Sequence, residues 1–166
     1  MKKIKLTQAK YALVDDADYE WLNQWKWQCV KTTSTMYAAF VKKYKRRNKR
    51  TSRMIFMHRI ILDIDGKSGR IKSDHRDGDG LNNRRNNLRI ATNSQNQQNK
   101  RCFAKGGVKG VYRRADLKLR PFQAKILVKN KRLHLGYFAT AQQAGNAYDR
   151  AALRYFGEFA RLNGRK

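Results

Sequence analysis

The sequence contains few acidic residues, two cysteines and one proline. Its 12 aspartates and glutamates are set against 39 lysines and arginines in 166 residues, which gives a formal net charge of +27. Charge of one sign in such excess repels itself within a compact fold, so we expect a polyanionic partner that neutralises it. Nucleic acid and an anionic membrane are the two candidates.

Long apolar runs are also missing, and this bears on the choice between those partners. No stretch approaches the ~20 apolar residues of a membrane-spanning helix. The aromatic residues are scattered rather than gathered on one amphipathic face. The first residues lack the apolar run of a signal peptide. We therefore expect an intracellular protein that binds nucleic acid, with no membrane and no protein partner implied.

Cysteine and proline are too sparse to organise the chain. Cys29 and Cys102 lie far apart without a Cys-x-x-C pattern, which argues against a disulfide framework and a cysteine-ligated zinc. Pro121 is the single proline, and no Gly/Ser-rich linker marks a boundary. Changes of pattern instead predict an α+β fold in three segments, 1–56, 57–105 and 106–166, each with a small core.

Segment 1–56 predicts a small α+β unit. Trp21, Leu22 and Trp25 have helical spacing after a cluster of aspartates, and we interpret the tryptophans as core residues. The predicted strands are Tyr11–Val14, Trp25–Val30, Tyr37–Val41 and Met54–Met57. The run 42–50, in which seven of nine residues are basic, is typical either of a solvated segment or of a phosphate contact, and both interpretations stay open.

Asp74 and His75 stand side by side, immediately before two Asp-Gly pairs that predict a tight loop. A neutral histidine can take a proton from water near pH 7. A carboxylate can hold a hard divalent cation that stabilises charge on a phosphate. Adjacent residues of a strand point to opposite sides, so both can serve one site only if the strand ends or twists there. Alone, such a pair is a weak motif.

The residues around this pair resemble the His-Asn-His (HNH) endonuclease family, and especially its phage and intron-associated homing endonucleases. The matching residues are 74–78, 81–89, Asn96 and Asn99. The resemblance implies a ββα-metal fold, a hairpin followed by a helix, within segment 57–105. It also implies His75 as the general base, Asp74 as a metal ligand, and Asn87 as the residue that steadies the hairpin and His75.

The third motif position, a histidine in many members of that family, is an asparagine here. The resemblance implies that Asn96 supplies an oxygen ligand from the helix, with Asn99 as the alternative ligand or a DNA contact. Aspartate with asparagine suits one Mg²⁺ or Mn²⁺ ion better than Zn²⁺. Arg76 or Arg89 is expected to contact DNA phosphate, and the sequence does not choose between them.

Segment 106–166 predicts three strands and a helix. The strands are expected at Gly110–Arg114, Phe122–Lys129 and Arg132–Phe138, and the helix at Ala141–Phe156. Apolar residues alternate with polar or basic ones along the second and third strands. One face of the sheet therefore suits the helix, and the other suits solvent or DNA.

This third segment resembles the plant Apetala-two/ethylene-response-factor DNA-binding domain along nearly its whole length. The matching stretches are 109–114, 135–140, 147–152, 157–158 and 161–163. The resemblance implies a three-stranded antiparallel sheet, packed on one helix and laid in the DNA major groove. By position, the DNA-facing residues that it implies are Lys109, Tyr112, Arg114, Lys125, Arg132 and His134.

Together these features predict a metal-dependent endonuclease that cleaves double-stranded DNA at a preferred site. A non-catalytic DNA-binding regulator that keeps the hairpin only as a scaffold is the first alternative. An RNA-binding protein is the second, and it is disfavoured because the major groove of A-form RNA is too narrow for a sheet.

Overall fold

The computed structural model describes residues 1–33, 35–46, 49–67, 71–102 and 107–164. Helices and small antiparallel sheets are both present, which confirms the α+β class. Contacts between Cα atoms divide the chain into two compact units, Met1–Asn96 and Gln97–Lys166. The segment boundaries expected near residues 56 and 105 remain predictions.

The described residues of the first unit contain seven strands, two complete helices and the beginning of a third. In chain order they are β1 (Lys2–Lys5), β2 (Tyr11–Val14), α1 (Asp16–Asn23), β3 (Gln28–Lys31), β4 (Met36–Arg46), β5 (Lys49–Phe56), α2 (Met57–Ile61), β6 (Lys72–His75), β7 (Leu88–Ala91) and α3 (Asn93–Asn99). Strands β1 and β2 pair, β3, β4 and β5 form a three-stranded sheet in that order, and β6 pairs with β7.

Several predicted strand boundaries in this unit are wrong. Strand β4 continues to Arg46 instead of ending at Val41, and β5 begins at Lys49 instead of Met54. The strand expected from Trp25 begins at Gln28, because Trp25 still closes the end of α1 through a backbone hydrogen bond to Leu22. Met57 begins α2 instead of ending β5, and its side chain is fully buried. An apolar residue at such a junction has no preference between the two elements, so tertiary packing decides.

The tryptophans pack into the core of the first unit, as predicted. Trp27 is 3% exposed and lies in the main apolar cluster. Trp25 stacks on Phe40 with ring centroids 5.4 Å apart, and Trp27 meets the same ring edge-on at 5.1 Å. Edge-on and offset contacts suit aromatic quadrupoles, so this cluster joins α1 to the central sheet.

The basic run falls largely within a long hairpin. Strands β4 and β5 pair from Ala39 with Phe56 to Arg46 with Lys49. The exposed basic residues of the run are therefore held on paired strands, while its positions 47 and 48 lie outside the described residues.

The second unit is a three-stranded sheet packed on one helix, as predicted. Its elements are β8 (Val111–Arg113), β9 (Phe122–Val128), β10 (Lys131–Phe138), α4 (Ala141–Phe156) and a short 3-10 turn at Gly157–Phe159. Strand β9 lies in the middle and both pairings are antiparallel. Thr140 caps α4, because its side chain accepts a hydrogen bond from the Gln143 amide.

The helix packs on the apolar face of this sheet. Ala124 and Ile126 of β9 are buried against Ala144 and Tyr148 of α4. At Gly110 an added Cβ would lie within 2 Å of the Tyr148 ring (1.9 Å), so a residue without a side chain is required where the chain enters β8. The expected alternation therefore directs the polar face of the sheet away from α4.

Neither membrane helices nor disulfides are found in the described residues. None of the helices there is long and apolar enough to cross a membrane. Cys29 is a buried free thiol, and Cys102 is also unpaired with another cysteine.

Candidate functional site

The centre of the site is the end of strand β6. Asp74 pairs with Arg89 and His75 with Leu88 across the β6–β7 hairpin, and α3 follows β7 after one residue. His75 is the last residue of β6. The strand therefore ends at the point that is required if the adjacent side chains of Asp74 and His75 are to act on one site.

A network around Asn87 holds the loop that follows His75. The Asn87 amide nitrogen donates to Asp77 Oδ1 at 3.0 Å, and its Oδ1 accepts from the Asp77 backbone at 3.1 Å. The Asn87 carbonyl also accepts from the Arg76 backbone. Asp77 Oδ2 in turn accepts from Asn82 at 2.6 Å. Asn87 therefore connects the residues directly after His75 to the start of β7.

The same loop is anchored to the N-terminal strands. The backbone of Leu13 in β2 exchanges hydrogen bonds with Leu81 and Asn83. Gly80 approaches β4 so closely that an added Cβ would lie 2.3 Å from the Met36 carbonyl oxygen. Strands β2 and β4 therefore support the loop that follows β6.

An ion pair between the exposed Arg85 and the buried Asp18 gives the loop a second anchor, on α1. Arg85 donates to both carboxylate oxygens of Asp18, at 2.8 and 2.7 Å. Asp18 is 2% exposed and also accepts from the Trp21 indole. A bidentate pair restricts orientation as well as position, so the far end of the loop is held firmly.

His75 is buried in a pocket of aromatic rings. It is 6% exposed, its Nε2 lies 3.4 Å from Asn83 Oδ1, and its ring centroid lies 5.0 Å from that of His58 and 5.8 Å from that of Tyr37. Burial lowers the pKa of His75, while the hydrogen bond to Asn83 and nearby carboxylates oppose this shift. The net effect keeps the imidazole neutral, hence able to accept a proton, near pH 7.

His58 is the second histidine of this pocket. It lies on α2, is 7% exposed and stacks on Phe56 at 5.6 Å. Burial lowers its pKa to about 3, and repulsion from His75 and Arg59 acts in the same direction. Its Nδ1 has no hydrogen-bond partner among the described residues.

Asp74 lies in β6, and Asn96 lies in α3. Arg89 donates to Asp74 Oδ2 from Nε at 2.8 Å and from Nη2 at 2.6 Å, and both side chains are buried. Asn96 donates from Nδ2 to the Ser73 carbonyl at 3.2 Å. Its Oδ1 is buried and has no hydrogen-bond partner within the part of the chain described. An unpaired buried acceptor is costly, so it marks a place for a cation or a donor.

These oxygens suit a hard divalent cation. No group of three His, Cys, Asp or Glu side chains in the described ranges could hold a metal. Mg²⁺ commonly takes one or two protein oxygens and completes its shell with water and substrate phosphate. The Asp74 carboxylate and Asn96 Oδ1 fit that donor set.

The other site residues predicted around the β6–β7 hairpin differ in how exposed their side chains are. Arg76 is exposed, while Arg89 is 7% exposed and bonded to Asp74. Asn99, which is 7% exposed, falls in the second compact unit.

The second unit carries most of the predicted DNA-facing side chains on the sheet face opposite α4. Tyr112, Arg132 and His134 are exposed, and Lys125 is half-buried beside His134 across the strand pair. Two further cations have partners within the unit: Arg114 forms a bidentate pair with Asp116, and Lys109 donates to the Gln98 carbonyl. Burial lowers the pKa of Lys109 to about 8.

Comparison with known proteins finds two relatives and no matching family model. The chain is 38% identical over 111 residues to an uncharacterised HNH endonuclease of Acanthamoeba polyphaga mimivirus, covering 64% of this chain and 56% of that protein. It is 60% identical over 35 residues to dehydration-responsive element-binding protein 2E of Arabidopsis thaliana, covering 21% of this chain and 14% of that protein. The chain thus spans little more than half of one relative and a small part of the other.

Three residues of the His75 pocket were missed by sequence reasoning: Tyr37, His58 and Asn83. His58 had a signal, because the chain contains only three histidines. Tyr37 comes from a distant strand, and Asn83 lies in a run of asparagines whose members are alike in sequence. Only the folded loop distinguishes Asn83, which is fully buried, from its exposed neighbour Asn86.

Proposed function

We propose that this protein is a metal-dependent DNA endonuclease that hydrolyses phosphodiester bonds at a preferred site. The observation that carries the proposal is the end of β6. There a buried, neutral histidine adjoins a carboxylate, and Asn96, which donates to the Ser73 carbonyl of the same strand, has an oxygen without a partner among the described residues. The similarity to a protein named as an HNH endonuclease supports the same chemistry.

His75 acts as the general base in this proposal. Because Asn83 Oδ1 can only accept, His75 donates to it from Nε2. The lone pair of the neutral ring is then on Nδ1, where it takes the proton of the attacking water. Ring contacts with His58 and Tyr37 restrict rotation of the imidazole and so fix the orientation of Nδ1.

Asp74 and Asn96 would hold one Mg²⁺ or Mn²⁺ ion, which supplies charge stabilisation for the phosphate oxygens and the leaving 3′ oxygen. Arg76 is the better candidate for a phosphate contact than Arg89, because Arg76 is exposed and Arg89 is buried against Asp74. Asn96 is the better candidate for the helix ligand than Asn99, because its Oδ1 has no partner in the described residues.

The second unit would supply the site preference. Its exposed sheet face carries basic and aromatic side chains, and the plant relative is named as a dehydration-responsive element-binding protein. Phosphate contacts from the excess of lysine and arginine give affinity, and base-edge contacts from the sheet give sequence preference.

Cleavage of long duplex DNA with Mg²⁺ tests the proposal. Wild type should cut, while His75→Ala and Asp74→Asn should not, and both variants should keep their DNA affinity in a mobility-shift assay without metal. Asp63→Asn is the matched control for Asp74→Asn, because Asp63 is an exposed carboxylate of the same unit. If wild type leaves many DNA sequences as intact as His75→Ala does, the enzyme proposal fails.

A non-catalytic DNA-binding regulator is the second candidate, and one observation favours it. The Arg89 guanidinium already neutralises Asp74, the residue proposed to bind the cation. In a regulator this pair would be permanent, so Mg²⁺ would change neither DNA integrity nor DNA affinity. In the endonuclease, Arg89→Gln should alter the Mg²⁺ concentration needed for half-maximal cleavage.

A further inference from the structure

A hydrogen-bonded trio, Gln123, His134 and Tyr137, lies on the sheet face of the second unit opposite α4. Gln123 is 5% exposed and lies beneath the two rings, while Tyr137 is 38% exposed and His134 is also exposed. Gln123 Nε2 donates to Tyr137 Oη at 3.0 Å and lies 3.2 Å from His134 Nδ1. The two ring centroids are 4.7 Å apart.

A β-bulge in β10 brings these residues together. Strict alternation would place His134 and Tyr137 on opposite faces, because they are three positions apart. The register shifts between His134 and Gly136, and Gly136 has φ of +126°, a conformation that favours glycine. After the bulge, Tyr137 pairs with Gln123 and faces the same side as His134.

The hydrogen bonds determine what the trio presents outward. An amide nitrogen can only donate, so His134 Nδ1 and Tyr137 Oη both accept from Gln123. The single proton of a neutral imidazole is then on Nε2. The Tyr137 hydroxyl, having accepted, still has its own hydrogen to donate. The exposed side of the trio therefore presents two donors close together.

We propose that this trio is a base-reading element, in which Gln123 sets His134 and Tyr137 to donate to a guanine in the major groove. Guanine presents two acceptors there, N7 and O6, whereas no other base presents more than one acceptor. The inference rests on the proposed DNA binding by the second unit, and it assigns a reading role to Tyr137 and a positioning role to Gln123.

A basic cleft adjoins the trio. Tyr137 also lines a cleft of about 570 Å³ together with Arg120, Arg150 and Gln143, and no acidic side chain lines it in the described residues. Gln143 and Arg150 belong to α4, so this cleft lies on the α4 side of Tyr137 and is not part of the reading face.

Selection from a random duplex library tests the inference, using the full chain with a chelator so that cleavage plays no part. Wild type should prefer guanine at one position by about fivefold or more, the scale of a specific base contact. Gln123→Met and His134→Ala should each lose that preference while keeping the other positions, and the double variant should lose no more. Gln97→Met is the matched control, because it makes the same change at an exposed helical glutamine.

Three outcomes would overturn the inference. Gln123→Met could retain the guanine preference, or the position lost in His134→Ala could prefer another base. Gln123→Met could also weaken every position equally with a lowered melting temperature, which would indicate a structural role only. If wild type selects no sequence at all, the proposed site preference fails together with the inference, whereas absent cleavage leaves this test unaffected.

Discussion

The buried histidine pocket makes the stability of the first unit depend on pH in a way that can be calculated. In the folded protein, burial lowers the pKa of His58 to about 3 from 6.5. Between those values the unfolded chain binds a proton that the folded chain excludes. Stability from this group is therefore unchanged above pH 6.5 and falls as the pH decreases towards 3. One proton corresponds to about 1.4 kcal/mol per pH unit, so the loss from pH 7 to pH 5 is about 2 kcal/mol.

Urea unfolding at pH 7, 6 and 5 measures this effect. All three tryptophans, Trp21, Trp25 and Trp27, belong to the first unit, so their fluorescence reports on that unit alone. We expect wild type to lose about 2 kcal/mol more than His58→Phe over this range. Phenylalanine keeps the stacking on Phe56 but has no titrating group, and His58→Gln is a second variant in case the larger ring packs poorly.

The comparison isolates His58 because His75 titrates in both proteins. The pKa of His75 is lowered by burial as well, so it adds the same direction of pH dependence to each. Equal pH slopes in wild type and both variants would show that His58 is not held neutral by burial, and the reasoning about the pocket would be refuted.

Three further predictions follow from the scaffold and the charge. Arg85→Met should destabilise the first unit by about 1–3 kcal/mol, because it leaves the Asp18 carboxylate buried without its guanidinium; an unchanged urea midpoint in the tryptophan signal would contradict this. Gly80→Ala should cost about 1–3 kcal/mol and reduce cleavage more than DNA affinity, since the new Cβ meets the Met36 carbonyl; cleavage at the wild-type rate would show that the loop adjusts freely. DNA affinity should fall steeply with salt, with a log–log slope of about −0.9 for each neutralised phosphate, whereas a nearly flat slope would mean that the net charge of +27 does not face DNA.

Much of the local structure could be predicted because its causes are local. The helix Ala141–Phe156 has the bounds expected from its helical spacing, and the tryptophans are core residues as expected. Strand β1 was not predicted, since Ile4 is its only buried residue and a single apolar position carries no period. Strand β1 forms because it pairs with β2, which is close to it in the sequence and has a stronger apolar pattern of its own.

The candidate site was predicted in part for the same reason. Asp74, His75, Asn87 and Asn96 occur within one short stretch at the spacing of a known motif, so a resemblance could select them. Their burial, the ion pair from Arg89 and the Asn96 oxygen that has no partner among the described residues depend on tertiary packing. The roles of these residues remain predictions that the cleavage assay addresses.

Composition and periodicity predicted the α+β class and a polyanionic partner, because net charge and periodicity are properties of the chain itself, whereas the residues at the end of β6 were selected by a family resemblance. The tertiary structure decided which side chains share a surface. It placed His58 and Tyr37 against His75, buried Arg89 while leaving Arg76 exposed, and used the bulge at Gly136 to bring Tyr137 to the face of His134. Such neighbours arise from contacts between distant strands and from a one-residue shift in register, and neither leaves a periodic signal in the sequence.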